Sequence, residues 1–131
     1  MEREYAGSER RRFKRVRADF LIVYKVLRPW VVLGLFEDNE LIGVMDDISE
    51  GGAAMVASHN IPPAANVLVR FSLADPHAAA DDQARTIEIT GDVLYNIALE
   101  SGERRLGVCF TQIAHDDRSA IADYVKKEIV G

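Results

Sequence analysis

From Phe20 to Thr111 the chain is a series of short stretches rich in β-branched and aromatic residues, separated by polar turns. Asn66 to Leu73 alternates most cleanly, with Val67, Val69, Phe71 and Leu73 on one face and Leu68, Arg70 and Ser72 on the other. Phe20–Val26, Trp30–Phe36, Leu41–Met45 and Ala53–Ala57 form further runs, and Glu37-Asp38-Asn39-Glu40 supplies a polar turn. Thr86–Leu94 and Arg105–Thr111 alternate again, with Ser101-Gly102-Glu103 as the hairpin turn before the second. Ala74–Arg85 is rich in alanine and aspartate, contains Pro76, and reads as an exposed loop.

Only the end of the chain has a helical period. Asp116 or Asp117 can cap it, and Ile121, Tyr124, Val125 and Ile129 then form one stripe. Many short strands with one terminal helix predict an all-β fold, a small antiparallel barrel, closed or nearly closed, with a C-terminal α-helix. The helix is expected to cover part of the sheet or an open barrel end. A polar arm over residues 1–9 and a single domain over 10–131 complete the organisation.

Composition narrows the function. The chain has 131 residues, 48% hydrophobic and 28% charged, as expected for a globular domain with a real core. No apolar run nears the roughly 20 residues of a membrane-spanning helix. Its charged N-terminus leads into no signal-type apolar region. The one cysteine, Cys109, forms no internal disulfide, and its alternation with Val108 and Phe110 leaves it packed rather than reactive. A soluble, cytoplasmic protein is expected.

The net charge of -5 argues against general nucleic-acid binding. Yet Arg10, Arg11, Arg12, Lys14, Arg15 and Arg17 lie close together, and an anionic partner should dock there. Arginine forks match phosphate oxygens and also guanine O6 and N7. Taken alone, the run serves equally well as a solvated basic arm. A second segment, Asp47-Ile48-Ser49-Glu50-Gly51-Gly52, sets a carboxylate and a hydroxyl two residues apart before paired glycines. If residues 47 to 49 are extended, the two side chains share a face, and an aspartate there can accept from guanine N1 and N2. Gly51 and Gly52 permit positive φ and close backbone approach. Taken alone, this segment is an ordinary turn.

Together the segments give arginines at i and i+4 (Arg11, Arg15) followed by D-x-S-x-x-G (Asp47, Ser49, Gly52), and this combination resembles the PilZ domain family. Leu106-Gly107-Val108-Cys109-Phe110 is similar to a G-V-x-F strand near the family's end. The resemblance implies a PilZ-like β-barrel that binds the bacterial messenger cyclic di-GMP. It implies that Arg11 and Arg15 grip phosphate and guanine edges, that Asp47 and Ser49 contact a guanine, and that Gly52 shapes the loop. Arg12 joins them by adjacency. Arg10, preceding the motif, leans towards a stacked pair of ligand molecules. The implied function is a sensor that signals to an unidentified protein partner when its arginine segment becomes ordered. The alternative is a nucleotide-independent PilZ-like protein-interaction adaptor; a small barrel for single-stranded nucleic acid is a third reading, which the acidic charge disfavours.

No enzyme, cofactor or metal is expected. His59, His77 and His115 are scattered without clustered cysteines, and Ser49 lacks the G-x-S-x-G context of a hydrolase. Trp30 reads as a core or barrel-end anchor.

Overall fold

The computed structural model describes residues 14–28, 40–74 and 84–130. Among these residues six strands and one helix follow in chain order: β1 (Val16–Arg28), β2 (Leu41–Ile48), β3 (Gly52–Ala57), β4 (Asn66–Ala74), β5 (Ala84–Ala98), β6 (Arg104–Ile113) and α1 (His115–Val130). The strands pair antiparallel in the order β1-β2-β3-β6-β5-β4, and β4 returns to β1, closing the barrel. Among the described strands, closure leaves no sheet edge open to another chain.

The alternation read from the sequence is the barrel wall. Val67, Val69, Phe71 and Leu73 of β4 are buried, as are Ile22, Tyr24 and Val26 of β1, Ile87, Ile89 and Val93 of β5, and Leu106, Val108 and Phe110 of β6. One end is closed by α1, whose Ile121 and Val125 are buried while Phe20 stacks on Phe71 and meets Tyr124. From the loop between β3 and β4, Ile61 and Ala65 join the same core.

Several expectations shift at their edges. β1 begins directly after Arg15 rather than at Phe20, and Ala74, Ala84 and Arg85 belong to the β4–β5 ladder rather than to a loop. Residues 75–83, the Trp30–Phe36 run and the arm over residues 1–9 lie outside the described residues. The hairpin turn is as expected. Gly102 takes φ +94°, a conformation costly for other residues, and its amide donates to Leu99 O at 3.0 Å. The Ala114 carbonyl accepts the first helical bond, from the Arg118 amide, so Asp116 and Asp117 sit inside the first turn instead of capping it. There they still favour the positive helix end. Ile129 is 48% exposed, so the apolar stripe stops at Val125. Cys109 is exposed, a correction to its expected packing, because outward positions of β6 face solvent here.

Tyr24 is fully buried inside the barrel, and its hydroxyl has no hydrogen-bond partner among the described residues. Burial pushes its pKa up to about 12, because the phenolate is poorly solvated there. Since the folded value lies above the unfolded one, this contribution to stability is whole below pH 10 and is lost as pH rises towards 12. We expect Tyr24→Phe to stabilise the barrel by about 1 kcal/mol at neutral pH, since it removes a buried unpaired hydroxyl. It should also flatten the alkaline decline, and urea titrations at pH 8 and pH 11 check both.

Candidate functional site

The site begins with a bulge. Met45 faces its β3 partner Met55 and Asp47 faces Ala54, so Asp46 is an extra residue on β2. The extra residue resets the alternation. Met45 and Ile48 both enter the core, while Asp46 and Asp47 stay partly exposed side by side on the outer wall.

Arg15, at the mouth of β1, donates from Nη1 to Asp47 Oδ1 at 2.8 Å. Arg105 of β6 donates from Nη2 to Asp47 Oδ2 at 3.0 Å and pairs with Asp46 through Nη1. Asp47 therefore carries two guanidinium groups, one on each oxygen. Partial burial works against the Arg105 charge, but Asp46 and Tyr95 outweigh it and hold the guanidinium pKa above its ordinary value. An ionised carboxylate offers about four lone-pair sites, so both oxygens of Asp47 retain acceptor capacity.

Ser49 behaves differently from the expectation of a shared face. It lies past the end of β2 and is buried at 4% exposure. Its hydroxyl accepts from the amides of Gly51 and Gly52, each at 3.2 Å, and donates to the Gly52 carbonyl at 3.3 Å. Its own amide donates to the same carbonyl at 2.8 Å. Ser49 thus shapes the turn from within. Two outer contacts fix that turn in place: the Phe110 amide donates to Gly51 O at 2.9 Å, and Arg118 of α1 donates to Glu50 O at 3.2 Å. Gly52 is there for close approach rather than positive φ, since a Cβ on it would stand 2.5 Å from the Val108 carbonyl oxygen.

Of the residues named from the sequence, Arg15, Asp47, Ser49 and Gly52 are brought together at one end of the barrel. Arg10, Arg11 and Arg12 lie outside the described residues. Arg105, Asp46 and Tyr95 were not anticipated. The Asp46-Asp47 doublet and the Arg104-Arg105 pair after the hairpin turn were visible in the sequence, but their meeting depends on a register between strands 58 and 59 residues apart. A surface hollow of about 490 Å³ lined by Phe20, Leu21, Arg70 and Ser72 among others lies on the β1–β4 wall, and none of the described motif side chains (Arg15, Asp47, Ser49) lines it. Among the described residues no group of three His, Cys, Asp or Glu side chains is placed to hold a metal ion. No described helix is long and apolar enough to cross a membrane.

A profile of the PilZ domain matches residues 9–127. The fold is similar to the inhibitor of motility MotI/DgrA of Bacillus subtilis, at 19% identity and TM-score 0.73, covering 92% of this chain and 52% of that one. The chain thus spans about half the length of that protein. It is also similar to the PilZ domain of YcgR from Escherichia coli, a structure with c-di-GMP, at 11% identity and TM-score 0.59, covering 92% of each chain. The K. pneumonia MrkH–c-di-GMP complex matches at 17% identity and TM-score 0.59, over 92% of this chain and 52% of that one. No curated protein matches the chain in sequence at a significant level.

Proposed function

The chain belongs to the PilZ domain family, and from that premise we propose that it is a cyclic di-GMP-binding sensor that signals to a protein partner through its N-terminal arginine segment. The observation that supports this most is the 2.8 Å contact between Arg15 and Asp47, because it joins the two motif segments across 32 residues of chain. Arg15 presents a phosphate-matching fork beside a carboxylate suited to guanine N1 and N2, and the sequence supplies Arg10, Arg11 and Arg12 as further forks just ahead of it. Ser49 and Gly52 contribute by holding the turn that aims Asp47. The protein needs no catalytic group for this role.

Binding energy follows from the same groups. Each charge-assisted hydrogen bond contributes roughly 1.5–3 kcal/mol net, so a handful of them reaches the roughly 8 kcal/mol of micromolar affinity. The signal arises when the ligand draws the arginine segment against the Asp47 turn and so changes the surface a partner meets. Titration calorimetry with cyclic di-GMP tests the reading, with micromolar binding expected. No heat at tens of micromolar protein, about ten times the expected Kd, ends the ligand claim and leaves the adaptor. A pull-down with and without the nucleotide then tests the partner.

A further inference from the structure

The terminal helix reaches the motif turn with one side chain. Arg118 lies three residues before Ile121 and seven before Val125, so it extends the buried stripe of α1 by one turn towards the helix start. There its Nη1 donates to the Glu50 carbonyl at 3.2 Å, across 68 residues of chain. The neighbouring carbonyls of the turn are held from within the barrel, Gly51 O by the Phe110 amide at 2.9 Å and Gly52 O by Ser49. Glu50 O is thus the point at which the helix, and not the sheet, sets the turn. One residue earlier, Asp117 accepts from Arg85 of β5 at 3.1 Å, a second tie of α1 that makes no use of the turn. Further along, Tyr124 packs against Phe20, and its hydroxyl reaches the carbonyl of Arg17 at 3.5 Å, two residues after Arg15. The helix therefore has one contact with the motif turn and one with the strand that continues the arginine segment.

Asp47 presents its carboxylate in one direction only if the backbone that follows it is fixed. β2 ends at Ile48, so the turn that begins at Ser49 decides that direction. We infer that Arg118 is a positioning residue for the ligand site: it holds the Glu50 carbonyl, and through it the turn that aims Asp47, so that affinity for the nucleotide depends on how α1 is seated. The inference rests on the cyclic di-GMP reading above and adds to it the element that regulates the site. Coupling between binding equilibria is reciprocal, so a nucleotide that fits the held turn must tighten the hold on α1 in return. The start of α1 thereby senses the ligand although none of its side chains belongs to the motif.

Calorimetry with cyclic di-GMP and amide NMR on the wild type, Arg118→Ala and Arg85→Ala decide it. Residues that act on a site without touching its ligand change affinity by roughly twofold to thirtyfold, so Arg118→Ala should bind at least about threefold more weakly than wild type. Arg85→Ala, which loses a partly exposed pair between α1 and β5, should stay within about twofold. In the unliganded proteins the Gly51 and Gly52 amide signals should move in Arg118→Ala and hold still in Arg85→Ala, a difference that a mere loss of stability does not produce. In the wild type, amides at the start of α1, where helices open locally, should exchange more slowly once the nucleotide saturates the protein. If Arg118→Ala binds as well as the wild type, the positioning role is overturned while the sensor reading stands. Equal losses in Arg118→Ala and Arg85→Ala overturn it too, since the seat of the helix rather than the Glu50 contact would then matter. If Arg118→Ala does not fold, unchanged exchange at the start of α1 in the saturated wild type is the overturning result. Failure of the wild type to bind at all is instead the failure of the proposed function, and unmoved Gly51 and Gly52 signals in Arg118→Ala then overturn the positioning by themselves.

Discussion

Asp47→Ala should weaken cyclic di-GMP binding by tenfold to several hundredfold while leaving the fold nearly as stable as before. Asp47 is expected to accept two bonds from a guanine edge, and hydrogen bonds to charged groups contribute roughly 1.5–3 kcal/mol each. The lower figure for a single bond already gives a tenfold loss, and both bonds together give the upper end. The stability effect is small because the pairs that Asp47 makes in the unliganded chain are partly exposed. Side-chain exposures are 22% for Arg15, 29% for Arg105 and 20% for Asp47, and such pairs contribute about 0–1 kcal/mol. The two arginines freed by the substitution reach water or, for Arg105, keep Asp46. Calorimetry beside a urea titration separates the two quantities. A variant that binds as the wild type does while folding normally removes Asp47 from the ligand site and, with it, the significance of its contact with Arg15.

How far the site could be read in advance depended on what each feature physically rests on. Alternation in Val67, Val69, Phe71 and Leu73 is a local property of the chain, and it located β4 to within a residue. Turn chemistry at Gly102 is equally local. The Asp46 bulge is not, because whether β2 carries an extra residue is decided by its pairing with β3 and is invisible in β2 alone. The bulge sends Asp47 to the outer wall, and Ser49 parts from it because β2 ends at Ile48 and the chain turns there, where extended backbone would have kept the two on one face. Arg105 and Tyr95 were out of reach for the same reason: their neighbours across the barrel come from registers set over long sequence separations. Cys109 shows the converse error. Its alternation with Val108 and Phe110 was read correctly, but whether anything covered the outward face of β6 was a tertiary question. Arg15, the motif arginine nearest β1, meets Asp47 because the strand begins at the next residue and pairs with β2 there.

Gly52→Val should destabilise the protein by roughly 3 kcal/mol or more, whereas Gly107→Ala should cost under about 1 kcal/mol despite a shorter nominal clash. The difference lies in what each new carbon meets. At Gly52 it is the backbone carbonyl of Val108, 2.5 Å away, inside a β3–β6 ladder whose registers hold both strands. No rotamer relieves that contact, so the strands must part, and the second methyl of valine enlarges the gap. The turn held by Ser49 ends at the same residue, so the aim of Asp47 is lost together with the ladder. At Gly107 the new carbon meets only the Tyr95 ring, at 2.1 Å, on a half-buried side chain free to rotate off the wall. Thermal unfolding of the two variants checks the ranking, and a Gly107→Ala protein as unstable as Gly52→Val contradicts it. The pair also divides the two duties of the glycines around this wall: Gly52 lets β3 and β6 close on each other, and Gly107 lets the Tyr95 ring lie flat on β6.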